Sequence, residues 1–361
     1  MKAAVFHGVH QPLTIEDIDV DEPRDYEVLV RTAAAGVCHS ELHMIEGHSP
    51  VPPPSVLGHE SAGVVERVGS RVTYVQPGDH VIARGTFCGH CEMCLTGHLN
   101  VCTNRPGRAP DDVPVMSWNG QRLNQWGSNI FGWSEQMLLH ENGVVKISPE
   151  MPLDAAALLG CAVITGFGAV MRTAHVEAGS SIAVFGCGGI GLSAIQGGVV
   201  SGCQRVIAVD LLDSKLEVAR EFGATHTVNG STEDPVAAIR EIADGEGVHY
   251  SFDAIGLASV AMQALDCLRP QGTATLIGVI PEETPLTFGW RRLSGEKRIQ
   301  GCMMGSNRFR MDLPMLVDLY MQGRLKLDEM ITTRGSLEDV NDFLEIMKGG
   351  AVTRQVMMLD S

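Results

Sequence analysis

A glycine-rich turn between an apolar strand and a helix limits most strongly what this chain can fold into. Ser181–Phe185 reads as a short buried strand and Leu192–Val200 as a helix. Between them stands the run Gly186-Cys187-Gly188-Gly189-Ile190-Gly191. The first glycine permits a tight turn, the second lets the backbone approach a pyrophosphate, and the last lets the helix pack on the strand. The pattern predicts a dinucleotide-binding strand–turn–helix unit.

An acidic residue at the expected distance downstream supports this interpretation. The next apolar strand, Val206–Val209, is followed by Asp210. Its carboxylate can accept hydrogen bonds from both ribose hydroxyls and would repel a 2′-phosphate, so NAD is favoured over NADP. Lys215, one helical turn further on, either contacts the adenosine ribose or is a solvated helix residue. A glycine-rich turn without any ligand is the alternative, and the complete strand–turn–helix–strand–Asp context disfavours it.

The surrounding pattern indicates two domains that differ in their secondary structure. The first part is β-rich and suggests a small barrel or sandwich; its predicted strands are Lys2–Phe6, Leu13–Ile18, Val28–Ala35, Ser61–Val68, His80–Ala83, Glu135–Leu139 and Val144–Ile147. From about Met151, short buried strands alternate with amphipathic helices, which predicts a doubly wound parallel sheet. Arg298–Met304 is the predicted last strand of that sheet. Two helical patterns and a closing strand, Gln355–Leu359, follow.

Composition excludes several classes of partner. Asp and Glu number 43 against 27 Lys and Arg, a formal charge of −16, which disfavours nucleic acid or an anionic membrane surface. No apolar run predicts a membrane span, and the N-terminus lacks a secretory signal. We therefore expect a cytoplasmic protein whose ten cysteines stay reduced, so that clustered cysteines bind metal rather than form disulfides.

Four closely spaced cysteines predict one metal site. They follow the pattern C-x2-C-x2-C-x7-C and are Cys88, Cys91, Cys94 and Cys102. Four thiolates in one loop would repel each other without a cation, and tetrahedral zinc suits a closed set of four sulfurs. An iron–sulfur cluster is the rival, but the last spacing and the missing Pro after Cys102 disfavour it.

A second set of metal ligands is scattered along the chain. Cys38, His59 and Cys161 lie in the segments Gly-Val-Cys-His-Ser, Gly-His-Glu-Ser-Ala-Gly and Leu-Gly-Cys. Taken singly, each is most simply a core cysteine or a polar histidine with satisfied hydrogen bonds. Their spacing alone does not connect them.

Several motifs together resemble the medium-chain zinc alcohol dehydrogenases, from one end of the chain to the other. They are GVCHSELH, GHESAGVVERVG, CGHCEMC, the Cys161 segment, GCGGIG followed by Asp210, and the ending GGAVTR. The resemblance implies a GroES-like catalytic domain of residues 1–162 and 304–361 that carries two zinc sites. It further implies that a Rossmann domain of residues 163–303 is inserted in it, that the active site would lie in the cleft between the domains, and that the assembly would be a homodimer or homotetramer.

The resemblance also assigns roles at the catalytic zinc. Cys38, His59 and Cys161 would hold the ion and leave a fourth position for water or substrate. Ser40 and His43 would relay the proton of the alcohol to solvent while hydride passes to the nicotinamide; taken alone, Ser40 would be a helix cap.

Each of two acids near these ligands has two alternative roles. Glu60 would approach the metal transiently or form a salt bridge behind the ligands. Glu41 would orient the ligands or would simply be an acid at a helix start.

Further residues resemble the cofactor contacts of the family. His39 and Arg354 would bind the pyrophosphate, and the Arg354 guanidinium suits a bidentate phosphate contact. Thr165 and Ile190 would press the nicotinamide towards the substrate, or they are plain core residues.

The substrate is an alcohol or carbonyl compound whose identity the pattern leaves open. Aligned through the cysteine loop, Arg84 stands where the family usually has an apolar or aromatic residue that lines the pocket. Either the register of this alignment is shifted, or Arg84 turns to solvent, or it favours an anionic or polar substrate group. The branch that oxidises S-hydroxymethyl-thiols is the nearest enzymatic alternative, although His48-Ser49 replace the acidic residues of its glutathione-using members. A non-enzymatic zinc-ribbon protein is the alternative of another class.

Overall fold

The computed structural model describes residues 1–124, 130–350 and 353–359. Its contacts divide the chain into two compact units. The first comprises Met1–Cys161 and Arg308–Ser361, and the second comprises Ala162–Asn307.

Strands and helices are numbered separately, each in chain order. The strands are β1 (Lys2–Phe6), β2 (Thr14–Asp17), β3 (Asp19–Val20), β4 (Glu27–Val37), β5 (Ser55–Val56), β6 (Ser61–Val68), β7 (His80–Ala83), β8 (Met116–Trp118), β9 (Gln121–Arg122), β10 (Gln136–His140), β11 (Val144–Lys146), β12 (Ser181–Phe185), β13 (Arg205–Asp210), β14 (His226–Asn229), β15 (Val248–Asp253), β16 (Leu268–Leu276), β17 (Arg298–Gly301), β18 (Ile331–Gly335) and β19 (Arg354–Met358). The α-helices are α1 (His39–Ile45), α2 (Glu92–Leu95), α3 (Leu153–Leu158), α4 (Ile164–Gly168), α5 (Gly189–Val200), α6 (Asp213–Glu221), α7 (Pro235–Ile242), α8 (Ala258–Asp266), α9 (Phe309–Met321) and α10 (Val340–Lys348).

The first unit is β-rich, as the sequence predicts. Its main sheet has the order β11-β7-β6-β4-β19-β18, and β10 pairs with β4. Alternate residues of its strands, among them Val28, Val30, Val81 and Ala83, form a core on one face. Helix α3 contributes no residue to that core and packs against β4, β6 and β7. Because strand residues alternate between faces, α3 covers the opposite face of the sheet.

The second unit is an open parallel sheet with helices between its strands, which confirms the predicted fold class. Its order is β14-β13-β12-β15-β16-β17, with every pairing parallel. Strand β12 lies between β13 and β15, so the strand order reverses there. A crevice at the carboxyl ends of the strands is the expected ligand site of such a sheet. Gly186 and Asp210 both lie at that edge.

One helical stretch of the described residues, Leu153–Thr173, is long and apolar enough to cross a membrane by length and composition. In this protein 89 % of its apolar window is buried. It is therefore a core helix.

The predicted elements are wrong in a few places. The sequence pattern does not predict strand β18, which forms through parallel pairing with β19 rather than through an apolar pattern of its own. The strand predicted over Arg298–Met304 ends at Gly301. A 3-10 turn over Met304–Ser306 follows, and Gly305 has a φ of 67° there. A Cβ on Gly305 would lie 2.5 Å from the carbonyl oxygen of Ile164, so the close approach requires glycine.

Candidate active site

The structure brings together the three scattered ligands of the sequence analysis. The Cys38 and Cys161 sulfurs and a His59 ring nitrogen lie within 4.8 Å of one another, and all three residues are buried. Cys38 follows β4 and caps α1, His59 precedes β6, and Cys161 follows α3. All three belong to the first unit.

Backbone pairing and two glycines explain this convergence. The amide of Gly36 donates to the carbonyl oxygen of Glu60 at 2.7 Å, which places the end of β4 beside the start of β6. Gly58 has a φ of 92°, and its missing side chain makes room for Trp133. A Cβ on Gly160 would lie 3.3 Å from the Cα of Glu60, so glycine lets the Cys161 segment approach the His59 segment.

The charges of this cluster suit a cation. A hydrogen bond from the Cys161 thiol, together with His59 and Arg354, holds the pKa of Cys38 well below its usual value. The same hydrogen bond and burial raise the pKa of Cys161. Burial opposes a charged imidazole, but Glu41 and Cys38 outweigh it and raise the pKa of His59. Two sulfurs and one imidazole, buried and crowded, are a donor set that a divalent zinc ion fits.

Two buried acids lie behind these ligands. Oε1 of Glu41 pairs with Nδ1 of His59, and the Glu41 side chain is buried. Glu60 pairs with Arg354, whose Nη2 lies 3.7 Å from Oε1 of Glu60, and both are buried. Burial raises the pKa of Glu60 to about 7, although Arg354 acts in the opposite direction. The Glu41 pair can fix the imidazole orientation, as carboxylates do behind metal-bound histidines.

Ser40 and His43 lie on α1, beside the ligand cluster. The Cys38 sulfur and the Ser40 hydroxyl oxygen are 3.7 Å apart. Helix α1 begins at His39 with Cys38 as its N-cap, so Ser40 lies in the first turn and is not the cap. Nδ1 of His43 lies 3.5 Å from Nδ1 of His48, a neighbour that the sequence did not reveal as part of the site. His39 is exposed at the helix start.

The four-cysteine loop closes on itself as predicted. The sulfurs of Cys88, Cys91, Cys94 and Cys102 lie within 4.8 Å of one another. The Cys91 amide donates to the Cys88 sulfur at 3.2 Å, and the Cys88 amide donates to the Cys102 sulfur at 3.3 Å. Backbone hydrogen bonds at Cys94 and Thr103 lower the pKa of Cys91 to about 5, whereas burial raises the pKa of Cys94 to about 12. Four sulfurs leave no position for a substrate.

The glycine-rich turn of the second unit has room for a phosphate group. Gly186 has a φ of 92°, and a Cβ on Gly191 would lie 1.7 Å from the Gly186 carbonyl oxygen. A Cβ on Gly188 would meet no protein atom within 4 Å, so the space above this residue is open. Gly189 opens α5 with Gly188 as its N-cap, and the helix N-terminus favours an anion there.

Asp210 already holds the turn through hydrogen bonds. Its Oδ2 accepts from the Cys187 amide at 2.8 Å, and its Oδ1 accepts from the amides of Leu211 at 2.8 Å and Leu212 at 3.2 Å. Lys215 is half-buried. Burial and the charge of Asp210 raise the pKa of Cys187, and the charge of Lys215 acts in the opposite direction.

The two residues expected at the nicotinamide also lie in this unit. The Thr165 hydroxyl lies 3.9 Å from the Met304 sulfur. Ile190 follows the open turn and is half-buried, and α4 and α5 pack so closely that a Cβ on Gly166 would lie 2.1 Å from the Ile190 carbonyl oxygen.

Comparison with known proteins identifies the family. Residues 24–149 match the family model described as alcohol dehydrogenase GroES-like domain, and residues 189–320 match the one described as zinc-binding dehydrogenase. The probable S-(hydroxymethyl)glutathione dehydrogenase 1 of Schizosaccharomyces pombe is 39 % identical, over 99 % of this chain and 96 % of that protein. The chain belongs to the zinc-dependent alcohol dehydrogenase family.

Solved structures of this family agree with the fold. The alcohol dehydrogenase zinc-binding domain protein from Burkholderia ambifaria has a TM-score of 0.95 at 36 % identity, covering 100 % of this chain and 99 % of that one. Benzyl alcohol dehydrogenase from Acinetobacter calcoaceticus has a TM-score of 0.93 at 32 % identity, covering 99 % and 98 %. The chain is thus a zinc alcohol dehydrogenase with a four-cysteine group and a Cys/His/Cys group. A zinc ribbon without enzymatic activity does not account for these matches.

Proposed function

We propose that this zinc alcohol dehydrogenase transfers hydride reversibly between a small alcohol and NAD at the centre formed by Cys38, His59 and Cys161. The convergence of these three buried donors within 4.8 Å carries the proposal. When bound there, zinc supplies a Lewis acid that lowers the pKa of a coordinated alcohol. The four-cysteine loop holds a second, structural zinc, which makes two ions per chain.

Ser40 and His43 handle the proton of the alcohol. The distance of 3.7 Å between the Ser40 hydroxyl oxygen and the Cys38 sulfur supports a contact of this hydroxyl with the substrate oxygen. His43 lies on the same helix beside His48, and both are accessible to solvent. A solvent-accessible imidazole can accept a proton and pass it to water, which suits the last step of such a relay.

The buried acids position the donors. Glu41 fixes the His59 ring through Nδ1 and leaves the other ring nitrogen for the metal. Glu60 pairs with Arg354 and adjusts the charge behind the two thiolates. The same Arg354, with His39, is our proposed contact for the pyrophosphate of the cofactor.

NAD binds at the glycine-rich turn of the second unit. Gly186, Gly188, Gly189 and Gly191 shape the turn, and the open space above Gly188 accommodates the pyrophosphate. Asp210 accepts hydrogen bonds from the ribose hydroxyls, and Lys215 lies beside these hydroxyls. Thr165 and Ile190 contact the nicotinamide.

Counting metal ions and measuring turnover tests the zinc assignment. Purified protein should contain two zinc ions per chain and form NADH from primary alcohols. Cys161→Ala should retain one zinc ion and lose turnover. Cys203→Ala is the matched control, because Cys203 is a half-buried thiol outside both groups, and it should retain two zinc ions and full activity. One zinc ion in the unsubstituted protein, with no turnover after zinc addition, would refute the proposal.

A substitution at Asp210 tests the cofactor preference. Asp210→Asn keeps an oxygen acceptor at Oδ1 but removes the charge that repels a 2′-phosphate, so the ratio of kcat/KM for NAD over NADP should fall at least about tenfold. Asp234→Asn is the control, since Asp234 caps α7 in the same unit, and should leave the ratio unchanged. If Asp210→Asn leaves this ratio unchanged, Asp210 does not determine a preference for NAD over NADP.

A thiol adduct is the second candidate substrate, because the Schizosaccharomyces pombe relative is an S-(hydroxymethyl)glutathione dehydrogenase by name. Here His48, which contacts His43, and Ser49 stand after Gly47. Because the glutathione-using members have acidic residues at these positions, a glutathione adduct is disfavoured, and adducts of other low-molecular-weight thiols are the candidate substrates. Turnover of formaldehyde with and without glutathione, cysteine or another thiol separates the two candidates.

We propose residues 1–162 with 304–361 as the catalytic domain and residues 163–303 as the cofactor domain. The proposed setting is the cytoplasm, with a homodimer or homotetramer as the assembly and neither nucleic acid nor membrane as a partner. Sedimentation of the purified protein checks the assembly.

A further inference from the structure

Arg84 continues a strand of the sheet that carries the active-site helices. It follows β7, and its amide donates to the carbonyl oxygen of Gly143 at 2.7 Å, so the pairing of β7 with β11 extends through this residue. Val81 and Ala83 point into the apolar core on one face. Because side chains alternate along a strand, Arg84 points to the other face.

That other face is the one that leads to the metal ligands. Helix α3, which ends just before Cys161, packs against β7 on this side. The Phe309 ring at the start of α9 lies under the guanidinium, with the Arg84 Cζ 4.9 Å from its centroid. Burial lowers the pKa of Arg84 to about 10, and the charges of Cys161 and Glu60 oppose this decrease. Arg84 therefore lies within the electrostatic reach of the catalytic ligands and stays charged at neutral pH.

The Arg84 guanidinium has no anionic partner within the described residues. The side chain is 3 % exposed, and no ion pair or side-chain hydrogen bond of residues 1–124, 130–350 and 353–359 includes it. Its Nε is fully enclosed and makes no hydrogen bond. A buried charge without a hydrogen-bonding partner is costly, so a structure that retains one commonly uses it.

The other enclosed arginines of this unit have partners for their terminal nitrogens, although the Nε atoms of Arg310 and Arg354 also make no hydrogen bond. Arg108 pairs with Asp21 and with Glu27 at 2.5 Å each. Arg310 stacks on Tyr74 and donates to the Glu141 carbonyl oxygen at 2.8 Å. Arg354 pairs with Glu60, whereas Arg84 makes neither an ion pair nor a side-chain hydrogen bond within the described part of the chain.

We propose that Arg84 is a specificity-determining residue that binds the carboxylate of an anionic alcohol or aldehyde substrate. The inference rests on the proposed function of the Cys38–His59–Cys161 centre and names the substrate class of that same site. Phe309 holds the guanidinium plane by cation–π contact, so the fork of N–H donors is preorganised for a carboxylate. The substrate is then a hydroxy acid or an aldehyde acid with the reacting carbon away from the carboxylate.

Matched pairs of substrates test this assignment on the zinc-loaded enzyme. 4-(Hydroxymethyl)benzoate is compared with 4-(hydroxymethyl)benzamide, and ω-hydroxy acids of three to six carbons are compared with their amides. The unsubstituted enzyme should prefer the acid in at least one pair. Arg84→Gln should lower the acid-to-amide ratio of kcat/KM by about 10- to 100-fold, mainly through KM, because a charge-assisted bidentate contact is lost. Arg84→Lys, which keeps the charge but not the fork, should give an intermediate ratio.

Arg310→Gln is the matched control. It also removes a partly buried guanidinium stacked on an aromatic ring, but one whose Nη2 already donates to the Glu141 carbonyl oxygen. It should lower thermal stability without changing the acid-to-amide ratio. Zinc content, measured for each variant, shows whether Arg84 instead balances the charge of the cysteine ligands.

The outcomes separate this inference from the proposed function. If the unsubstituted enzyme oxidises the amides as well as the acids and Arg84→Gln leaves every ratio unchanged, Arg84 does not select the substrate. Loss of zinc in Arg84→Gln with an unchanged ratio likewise overturns the inference in favour of a structural role. If no alcohol at all is turned over by the two-zinc protein, the proposed function itself fails.

Discussion

At the scale of single residues, one of the proposed metal donors pairs with a buried acid outside the set of three donors. Glu41 is buried and pairs with the Nδ1 of His59, so it holds the ring in one orientation. Glu41→Gln should weaken zinc binding at the three-donor site about 10- to 100-fold, as loss of an outer partner of a metal-bound histidine commonly does. Titration against a chromophoric chelator measures the affinity, and excess zinc should restore part of the activity.

Glu46→Gln serves as the control for this prediction. Glu46 follows the same helix and is half-buried near His48, 3.8 Å from its Nδ1. Its removal should leave both zinc affinities unchanged. Equal weakening by the two substitutions would mean that negative charge in general, rather than the Glu41–His59 pair, sets the affinity.

Gly36 is a second residue on which the site depends. A Cβ there would lie 2.5 Å from Oε2 of Glu60 and 3.0 Å from its Cβ, in a buried region where Glu60 has little room to move. Gly36→Ala should therefore lower the apparent Tm by roughly 2–10 °C, which corresponds to an overpacking cost of about 1–3 kcal/mol. Gly289→Ala, whose Cβ would meet no atom within 4 Å, should leave the Tm within about 1 °C and shows whether the loss of glycine itself matters.

At the scale of elements, two glycines in the strand–turn–helix of the second unit should have different roles, one in cofactor binding and the other in stability. Gly188→Ala places a Cβ in open space at φ −81°, so the Tm should stay unchanged. The same Cβ would occupy the space that the pyrophosphate needs, so NADH affinity should fall at least about tenfold. Gly191→Ala should instead lower the Tm, since its Cβ would lie 1.7 Å from the Gly186 carbonyl oxygen. Fluorescence titration and thermal unfolding distinguish these effects, and unchanged NADH affinity in Gly188→Ala would contradict the phosphate assignment.

The same elements show what a sequence can predict. Strand β12, the glycine turn and the helix after it carry strong local patterns, and the structure has all three where the pattern places them. Strand β18 reads Ile-Thr-Thr-Arg-Gly with alternate exposed residues, and only its pairing with β19 makes it a strand. Cys38, His59 and Cys161 converge through pairing of β4 with β6 and through α3, so no local spacing could connect them. The family resemblance supplied that connection, whereas the His43–His48 contact had no signal in the pattern.

At the scale of the whole molecule, the two kinds of site belong to different units. Every cysteine and histidine of the two proposed zinc groups lies in Met1–Cys161, whereas the glycine-rich turn and Asp210 lie in Ala162–Asn307. A ligand stabilises the unit that binds it, by about 2.7 kcal/mol at 100 times its Kd. Calorimetry of the full chain should therefore respond differently to metal and to cofactor.

Removal of zinc by a chelator should lower the unfolding temperature of the first unit, because four crowded sulfurs then lose the cation that holds them. Saturating NADH should raise the transition of the second unit, which carries the glycine-rich turn and Asp210, by several degrees. Gly188→Ala provides the control, since it should reduce the response to NADH but not the response to the chelator. A single transition that responds to both treatments would show that the two units unfold together. An NADH response of the same size in Gly188→Ala as in the unsubstituted protein would show that the glycine-rich turn does not mediate cofactor binding.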